Sequence, residues 1–393
     1  MSESGAGGSA PVRIVMVAGE ASGDLHGAGL VEALRRHAPA LEFSGMGGAR
    51  LRAAGVRLLA DAGETAVVGV SELWEKRRAL RAALRALRGH LAEAGPALLV
   101  CIDFPDFNLL LARTARRLGI PVCYFISPQV WAWRRGRLRT IRRLVRKMLV
   151  LFPFEETLYR AAGVDVAFVG HPLLDILASV PPREVCRRRL GVAVGATVVG
   201  LLPGSRAAEI RRHLSLLLEA AARVRAAEPG VAVLLGLGDT ADRAAVEAAA
   251  ARLGVPAQVV QGRTHEVLRA ADFLLAVSGT VTLEAAILGT PMLITYRLGP
   301  LSAWLARRLI RVSFVGLPNL VADRSIVPEL LQNDAAPGPL AATALEMLRS
   351  PARQEAMRVA LADVRRRLGE PGALDRAARE IVRLLPAAQH RGA

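Results

Sequence analysis

The sequence predicts an α/β protein with two doubly wound domains, followed by a region that contains only helices. Short β-branched runs alternate with longer Ala/Leu/Arg stretches of helical spacing, which is typical of parallel sheets covered by helices on both faces. The pattern breaks between Pro172 and Arg189, where Pro181 and Pro182 interrupt it, and then begins again. From about residue 340 only the helical spacing remains.

The first half of the chain contains strand candidates separated by helix candidates. The expected strands are Val12–Val17, Leu41–Ser44, Ala97–Ile102, Val122–Ile126, Met148–Leu151 and Val166–Val169. The expected helices are Leu25–His37, Glu75–Glu93, Leu109–Leu118, Arg137–Arg146 and Glu155–Ala161.

The second half repeats the alternation and sets the expected domain limits. Its expected strands are Thr197–Leu202, Val231–Gly236, Gln258–Val260, Phe273–Val277 and Met292–Thr295, and its last helices are Ala341–Leu348, Arg353–Arg367 and Ala373–Leu385. We expect a disordered start over 1–10, domains over 11–180 and 181–340, and C-terminal helices over 341–393 that could pack back on the first domain.

Charge and composition narrow the function classes. The 393 residues include 52 Lys+Arg and 35 Asp+Glu, a formal charge of 52 − 35 = +17, and 52% are hydrophobic, so a folded chain with anionic partners is expected. Such partners include phosphates, nucleic acid and a membrane surface. Lys76 and Lys147 are the only lysines and neither follows glycine, which excludes a GK[ST] phosphate loop. The cysteines, Cys101, Cys123 and Cys186, form no CxxC pair and fit a reducing cytosol.

Targeting and membrane-spanning segments are not indicated by the sequence. Residues 1–10 have neither the basic nor the apolar region of a signal peptide. The uncharged run Leu190–Ser205, which no other uncharged run exceeds in length, is shorter than a membrane span and rich in glycine. We expect a cytoplasmic protein that is soluble or lies on a membrane without crossing it.

Two motifs follow strands of the first half, at the sheet edge where ligands of doubly wound folds bind. Gly19–Asp24 is a glycine-rich turn that can offer backbone N–H groups to an anion, or simply a strand–helix turn capped by Ser22 or Asp24. Asp103 follows the strand that ends at Ile102 and is a candidate general base, or a solvated or capping aspartate. Asp106 or Asn108 can cap the helix that follows.

Two further motifs follow strands of the second half. In Leu202–Arg206, Gly204 and Ser205 can form a backbone nest, while Arg206 can bind phosphate through two N–H groups. In Ser278–Glu284, Ser278 or Thr280 can cap a helix whose first amides point at an anion. Glu284, one turn into that helix, can accept from ribose hydroxyls or support the helix start.

A third motif of the first half is Ser127–Trp133, in which Trp131 and Trp133 precede a series of arginines. These residues favour an apolar lip for a lipid or sugar, a nucleic-acid platform, or one buried and one surface tryptophan before a solvated basic helix. No Asp-x-Asp sequence occurs, so a divalent metal bridging a sugar nucleotide is not indicated, and we expect neither a metal nor another cofactor.

Taken together, eight motifs in one order resemble the lipid-A-disaccharide synthase family of bacterial inverting glycosyltransferases, from about Val12 to about Leu331. They are GEASGD (Gly19–Asp24), DFPDFN (Asp103–Asn108), SPQVWAWR (Ser127–Arg134), FPFE (Phe152–Glu155), GHP (Gly170–Pro172), LPGSR (Leu202–Arg206), SGTVTLE (Ser278–Glu284) and LPNL (Leu317–Leu320). The resemblance implies the GT-B architecture, in which two Rossmann-like domains face a central cleft, the first binding the acceptor and the second the UDP-sugar.

The reaction that the resemblance implies moves 2,3-diacylglucosamine from UDP-2,3-diacylglucosamine to 2,3-diacylglucosamine 1-phosphate. It forms a β-1,6 disaccharide 1-phosphate and UDP with inversion. Asp103 is then the expected base. The expected UDP-binding residues are Gly204, Ser205, Arg206, Ser278, Gly279, Thr280, Glu284 and Asn319. The residues expected on the acceptor or lipid side are Glu20, Ser22, Gly23, Asp24, Gln129, Trp131 and Trp133.

Acylated substrates also favour contact with an anionic membrane at the cytoplasmic face. Leu73, Trp74, Leu80, Leu84, Leu87 and Leu91 form an apolar stripe beside Arg77, Arg81, Arg85 and Arg88, and the segment 304–311 repeats the pattern. Core-facing leucines with solvated arginines explain the first helix equally well. The alternative functions are another sugar-nucleotide enzyme on the same fold, such as an epimerase, and a nucleic-acid-binding protein, although we expect no nucleic-acid partner.

Overall fold

A computed structural model describes residues 11–62, 72–130, 136–299 and 314–386, without the side chains of 72–76. The expected disordered start, 1–10, therefore lies outside the described residues. The described chain divides into two compact units. Unit 1 comprises the residues up to Pro172 and those from Glu370, and unit 2 comprises Leu173–Gly369.

Unit 1 is built on a parallel sheet of seven strands among its described residues, in the order β3-β2-β1-β4-β5-β6-β7. The strands are β1 (Val12–Ala18), β2 (Leu41–Gly47), β3 (Arg57–Asp61), β4 (Leu98–Ile102), β5 (Val122–Phe125), β6 (Lys147–Val150) and β7 (Val166–Phe168). The central strand β4 is buried along its whole length, as expected for a strand covered on both faces. The sequence did not indicate β3, because this short edge strand is only partly buried and begins with arginine.

The helices of the first part of unit 1 are α1 (Ala21–His37), α2 (Ala49–Ala53), α3 (Glu72–Ala94), α4 (Pro105–Arg117), α5 (Arg137–Leu144) and α6 (Pro153–Ala161). Proline in the first turn of α4 and α6 suits the helix start, where its missing N–H leaves no intrahelical bond unmade. Helix α4 therefore begins at Pro105, before the expected start at Leu109.

Unit 2 is built on a second parallel sheet, with the strand order β10-β9-β8-β11-β12-β13 among its described residues. Its strands are β8 (Val198–Leu202), β9 (Ala232–Leu237), β10 (Ala257–Gln261), β11 (Phe273–Val277), β12 (Met292–Tyr296) and β13 (Glu329–Leu331). Its described helices are α7 (Leu173–Ala178), α8 (Arg183–Arg189), α9 (Ala207–Ala227), α10 (Arg243–Arg252), α11 (Thr264–Ala270), α12 (Thr280–Ile287), α13 (Leu317–Ala322), α14 (Pro337–Leu348) and α15 (Pro351–Arg367). The expected fold class, parallel α/β in both halves, is confirmed.

The C-terminal helices do not form one separate region. Helix α14 packs on α9, and α15 packs on α12 and α13, so both belong to unit 2. The last helix, α16 (Ala373–Val382), packs on α1 and belongs to unit 1, where Ala377 and Ile381 are fully buried in the core with Leu30 and Leu34. The first division of the chain follows Pro172 rather than residue 180, because α7 packs on α12 of unit 2.

Each sheet has one place where its strand order reverses, between β1 and β4 in unit 1 and between β8 and β11 in unit 2. The loops after these strand pairs diverge to opposite faces, which leaves a crevice where ligands of doubly wound sheets bind. Four of the motifs from the sequence follow these four strands, so the topology places them at the two crevices.

The leucines of α3 face the core of unit 1, so the core-facing interpretation of this helix is confirmed and the lipid-facing one is wrong for these leucines. Leu87 and Leu91 are buried, and Leu80 and Leu84 pack partly buried against the same core. Leu73 and Trp74 belong to the side chains that are not described, and 304–311 lies outside the described residues. No helix in the described ranges is long and apolar enough to span a membrane.

Candidate active site

Asp103 directly follows β4, and its backbone is held in an unusual conformation. Both Asp103 and Phe104 have a φ of +46°, in the left-handed region that L residues seldom adopt. The N–H of Asp103 donates to the carbonyl of Phe125 over 3.1 Å. Its carbonyl accepts hydrogen bonds from Nδ2 of Asn108 and from the hydroxyl of Tyr124. These bonds fix the backbone of Asp103 and leave its carboxyl at the sheet edge.

The carboxyl of Asp103 is partly buried, and its electrostatics suit a proton acceptor near neutral pH. Burial raises the pKa of Asp103 to about 6, and the negative charge of Glu20 adds to the rise. A hydrogen bond from the backbone N–H of Phe104 opposes it. A general base works best when its pKa lies near the operating pH, because it is then both ionised and basic enough.

Gly19 allows the loops after β1 and β4 to meet. A β-carbon at Gly19 would lie 2.2 Å from Cδ1 of Phe104, a distance that real contacts do not reach. The Phe104 ring therefore fills the space of the missing side chain and also stacks on Phe107, with 5.4 Å between ring centres. This contact joins the two sequence motifs and brings the charge of Glu20 close to Asp103.

The other expected acceptor-side residues of the first motif differ in their surroundings. Glu20 and Ser22 are exposed at the start of α1, while Gly23 is buried against Ala18 and Ile102. Asp24 is buried and its carboxylate accepts the backbone N–H groups of Gly48, Arg50 and Leu51 at 2.6–3.1 Å. Asp24 therefore anchors the start of α2, which explains the aspartate without an acceptor role.

The loop after β5 carries the third motif. Ile126 has a φ of +66°, which is strained for a β-branched residue. The hydroxyl of Ser127 donates to Oε1 of Glu155 over 2.6 Å, and the Tyr159 hydroxyl donates to the carbonyl of Pro128. These buried bonds hold the loop on α6 and leave Gln129 exposed. Trp131 and Trp133 lie outside the described residues.

Asp106 and Asn108 do not cap α4 as expected. The residue before this helix is Phe104, which offers no capping side chain, and Asp106 pairs instead with Arg137. Asn108 is fully buried, where it donates to the carbonyl of Asp103. Instead of capping the helix, Asn108 holds the backbone of the candidate base, Asp103.

In unit 2, a cavity of about 570 Å³ lies at the carboxyl ends of β8, β9, β11 and β12. It gathers residues from two motifs that are about 75 positions apart in the chain. Seven of the eight expected UDP-binding residues line it, namely Gly204, Ser205, Arg206, Ser278, Gly279, Thr280 and Glu284.

The first wall of this cavity is the loop between β8 and α9. Gly204 has a φ of +108°, and a β-carbon there would lie 2.7 Å from Cβ of Glu209. Oε2 of Glu209 accepts the backbone N–H groups of Ser205 and Arg206 at 3.2 and 3.3 Å, and its Oε1 lies 3.4 Å from Nη1 of Arg206. The expected nest of free amides is thus occupied by a carboxylate of the chain itself.

The opposite wall is the start of α12. Neither Ser278 nor Thr280 caps this helix as expected, because the capping position is Gly279 and no side chain bonds there. The Ser278 hydroxyl donates instead to the carbonyl of Val315 over 3.2 Å. The first N–H groups of a helix have no intrahelical partner, so the α12 start presents donors and a positive dipole end to the cavity.

Glu284 lies one turn into α12 and meets a histidine that sequence analysis passed over. Nε2 of His265, at the start of α11, lies 3.5 Å from Oε2 of Glu284. This contact raises the pKa of His265, with burial opposing the rise. In the sequence, His265 is marked only by the pair His265-Glu266, which is half of an HExxH metal motif. The contact itself depends on two helices that are adjacent only in the fold.

Further lining residues lie at the end of β9 and directly after it, and the last residue of β10 holds that loop. Gly236, Gly238 and Asp239 line the cavity, and Nε2 of Gln261 donates to the carbonyls of Gly238, Asp239 and Ala241. The glycine-rich end of β9 was a sequence signal for this loop, since glycines at a strand end favour close approach of a ligand.

Asn319 is the expected UDP-binding residue that the structure places elsewhere. It is fully buried, and its Nδ2 donates to the carbonyl of Val327 and to Oε1 of Glu329. Its Oδ1 accepts the N–H groups of Ile326 and Val327. All its hydrogen-bonding capacity connects α13 to the start of β13 and the segment before it, so it acts as a structural link within unit 2.

The family model described as lipid-A-disaccharide synthetase matches residues 14–379. The chain belongs to the lipid-A-disaccharide synthase family. It is 46% identical to the lipid-A-disaccharide synthase of Syntrophus aciditrophicus over 93% of this chain and 96% of that protein. It is 45% identical to the enzyme of the same name from Myxococcus xanthus, over 96% and 98% of the two chains. The resemblance inferred from the eight motifs is therefore confirmed.

Solved structures with the same fold are more distant in sequence. A UDP-GlcNAc 2-epimerase from Neisseria meningitidis matches with a TM-score of 0.66 at 11% identity, covering 95% of this chain and all of that one. MurG from Acinetobacter baumannii matches with a TM-score of 0.58 at 13% identity, with the same coverage. At these identities the likeness concerns the fold alone, which glycosyltransferases and epimerases share.

Proposed function

We propose that this chain transfers 2,3-diacylglucosamine from UDP-2,3-diacylglucosamine to the 6-hydroxyl of 2,3-diacylglucosamine 1-phosphate, with inversion at the anomeric carbon. The products are a β-1,6-linked disaccharide 1-phosphate and UDP. Family membership over nearly the whole chain supports the reaction type, and the residues described above support the assignment of roles.

The observation that carries the proposal is the cavity of unit 2. Its volume of about 570 Å³ suits a nucleotide and lies within the usual range for small-molecule sites. It combines an exposed guanidinium, a helix start and a carboxylate in one crevice. In our proposal, Arg206 and the first amides of α12 bind the diphosphate, while Glu284 accepts hydrogen bonds from the ribose hydroxyls.

The departing UDP needs stabilisation because negative charge grows on its phosphate as the glycosidic bond breaks. Arg206 and the α12 start can supply fixed positive charge there. Glu209 competes for the same donors, since it already bonds the N–H groups of Ser205 and Arg206. A bound diphosphate must therefore share these donors with Glu209 or displace its carboxylate.

Asp103 is the proposed base. Its ionised carboxylate accepts the proton of the acceptor 6-hydroxyl as the oxygen attacks the anomeric carbon from the side opposite UDP. The raised pKa makes the carboxylate a stronger base than an exposed aspartate, yet leaves it mostly ionised at pH 7. A general base of this kind typically contributes about 10²–10⁴ in rate.

The test is incubation of the purified protein with both diacylglucosamine substrates, followed by mass spectrometry of the lipid product and measurement of UDP. We expect a tetraacyl disaccharide 1-phosphate and equimolar UDP. Donor that is converted without acceptor would instead indicate an epimerase-type activity. Asp103→Asn should abolish product formation while UDP binding, measured by calorimetry, stays unchanged. Normal turnover by this variant would show that Asp103 is not the base.

We further propose that the enzyme works at the cytoplasmic face of a membrane, because both substrates carry acyl chains. The exposed arginines of α3, which are Arg77, Arg81, Arg85 and Arg88, support this location. Each basic residue near an anionic surface contributes about 1 kcal/mol of attraction. Sedimentation with vesicles of phosphatidylcholine, with and without phosphatidylglycerol, tests the proposal, and equal binding to both vesicle types would contradict it.

A further inference from the structure

A second cavity lies in unit 1, at the edge of the sheet where its strands begin. It has a volume of about 390 Å³ and is lined by the loops that lead into β5, β6 and β7. These strands are parallel neighbours, so their amino ends meet at one edge. Asp103 follows the carboxyl end of β4, the other neighbour of β5, and lies at the opposite edge. A strand of four residues, about 13 Å, separates the two places.

Arginines from three successive segments converge on this cavity. Arg116 comes from the end of α4, Arg142 and Arg143 from the last turn of α5, and Arg146 from the loop before β6. Within the described ranges, none of these four guanidinium groups has a hydrogen-bond or ion-pair partner. The cavity therefore concentrates four positive charges that the fold leaves without a counter-charge.

The one acidic residue that lines the cavity does not neutralise the arginines. Oδ1 of Asp165 lies 2.8 Å from Nζ of Lys147, which also lies 3.3 Å from Oε2 of Glu380. The hydrogen bond to Asp165 counts among the contacts that raise the pKa of Lys147. The carboxylate of Asp165 is thus ion-paired with Lys147, and the net charge of the cavity stays strongly positive.

Two of the arginines are positioned by backbone features. The N–H of Arg146 donates to the carbonyl of Val122 over 2.8 Å, which ties it to the first residue of β5. Arg142 passes over Gly163, where a β-carbon would lie 3.4 Å from its Nε. Gly163 has a φ of +71°, a backbone conformation that favours glycine. The residue beneath the Arg142 side chain therefore has no side chain of its own.

We propose that this cavity binds a phosphoryl group with two or more negative charges, carried either by a soluble molecule or by a lipid headgroup. Guanidinium groups match phosphate oxygens with paired hydrogen bonds, and several of them around one anion offset its charge. The arginines converge on one concavity of about 390 Å³ rather than forming a long stripe, which suits a compact phosphate rather than a nucleic-acid backbone.

The experiment measures binding of inorganic pyrophosphate to the full-length protein by calorimetry at low salt. It compares Arg142→Gln/Arg146→Gln with Arg117→Gln/Arg139→Gln, a control that removes the same charge. Arg117 is the last residue of α4 and Arg139 lies on α5, and both are exposed but do not line the cavity. The donor cavity of unit 2 is identical in both variants, so pyrophosphate bound there contributes equally.

We expect the cavity variant to bind pyrophosphate about tenfold more weakly than the control, since each lost charge-assisted bond weakens binding substantially. Equal affinity of the two variants would overturn the proposal. Sedimentation with vesicles that contain phosphatidic acid, whose phosphomonoester headgroup can carry two negative charges, then identifies the source. A loss of sedimentation confined to the cavity variant indicates a headgroup, and unchanged sedimentation indicates a soluble phosphate. Product formation from the two diacylglucosamines is measured in both variants as well. This measurement tests the proposed reaction, whereas the pyrophosphate affinities test the second cavity.

Discussion

The ring of Phe104 occupies the space that a side chain at Gly19 would need, with 2.2 Å between Cδ1 and the position of a β-carbon. Because Phe104 directly follows Asp103, any residue larger than glycine must push the strained 103–104 backbone away from its place. The contact therefore links the first glycine motif to the position of the candidate base.

Gly19→Ala should lower kcat by about tenfold or more, since small displacements of a catalytic group have large effects on rate. KM for the donor and the affinity for UDP should change little, because the donor cavity belongs to unit 2. Gly136→Ala is the matched control, since a β-carbon at Gly136 meets no atom of the described residues within 4 Å. Steady-state kinetics of both variants decide the question, and equal kcat values would contradict the role of this contact.

The acid limb of the pH–rate profile should reflect the ionisation of Asp103. Its pKa is raised to about 6, so below this pH the carboxyl is protonated and cannot accept a proton, and kcat should fall as the pH drops through 6. Glu20→Gln removes the negative charge that adds to this rise and should move the limb to lower pH.

The control for this shift is Glu32→Gln, which removes a charge from an exposed position of the same helix α1. It should leave the acid limb in place. A limb that moves equally in both variants would show that net charge, rather than the proximity of Glu20 to Asp103, sets the pKa.

The sequence predicted both sheets and the loops that carry ligands, because buried parallel strands form continuous apolar runs and glycine-rich turns mark their ends. It also predicted that Arg206 and Glu284 share a site, through the family resemblance. It did not predict that Glu209 accepts hydrogen bonds from the backbone N–H groups of Ser205 and Arg206. Nor did it predict that the side-chain amide of Asn319 makes its hydrogen bonds within unit 2. Partner choice among polar groups depends on distances between elements, and neither spacing nor composition encodes those distances directly.

The Asn319 links predict a loss of stability rather than a direct loss of UDP contacts. Asn319→Ala would leave the buried N–H of Val327 and its carbonyl without their partner. Unsatisfied buried groups cost about 1–3 kcal/mol each, so the free energy of unfolding of unit 2 should fall by at least about 2 kcal/mol. Urea denaturation measures this change, with Asn333→Ala as control, because Asn333 is exposed. A stable variant that has lost UDP binding would restore Asn319 to the donor site.

Glu284 should matter for nucleotide binding through both its charge and its contact with His265. Glu284→Gln keeps one acceptor oxygen but loses the charge, and we expect UDP to bind about tenfold more weakly. His265→Gln should have a smaller effect in the same direction, since it removes the contact that positions Glu284 but keeps the carboxylate. Calorimetry with UDP tests both variants, with Glu219→Gln as an exposed control on α9. If Glu284→Gln binds UDP as tightly as the control variant does, Glu284 does not contact the ribose.

Two buried histidines of unit 1 predict a loss of stability in acid. Burial lowers the pKa of His26 to about 4 and that of His171 to about 3, and the neighbouring His26 adds to the shift of His171. Both folded-state values lie below the ordinary 6.5, so as the pH falls the unfolded chain takes up these protons first. The stabilisation is complete above pH 6.5 and is lost as the pH falls toward 4, by about 3 kcal/mol for His26 alone.

Hydrogen exchange of peptides from β1 and α1, corrected for the pH dependence of chemical exchange, measures this loss between pH 7 and pH 5. His26→Gln removes one of the two titrating groups, so its protection should fall less steeply with pH than that of the wild type. Glu32→Gln, at an exposed position of α1, leaves both buried histidines in place and should keep the full slope. Nδ1 of His26 has no hydrogen-bond partner in the described part of the chain, so its neutral state gains nothing there that glutamine would lose. A wild-type slope in His26→Gln would mean that other groups, and not this buried ring, govern the acid response of unit 1.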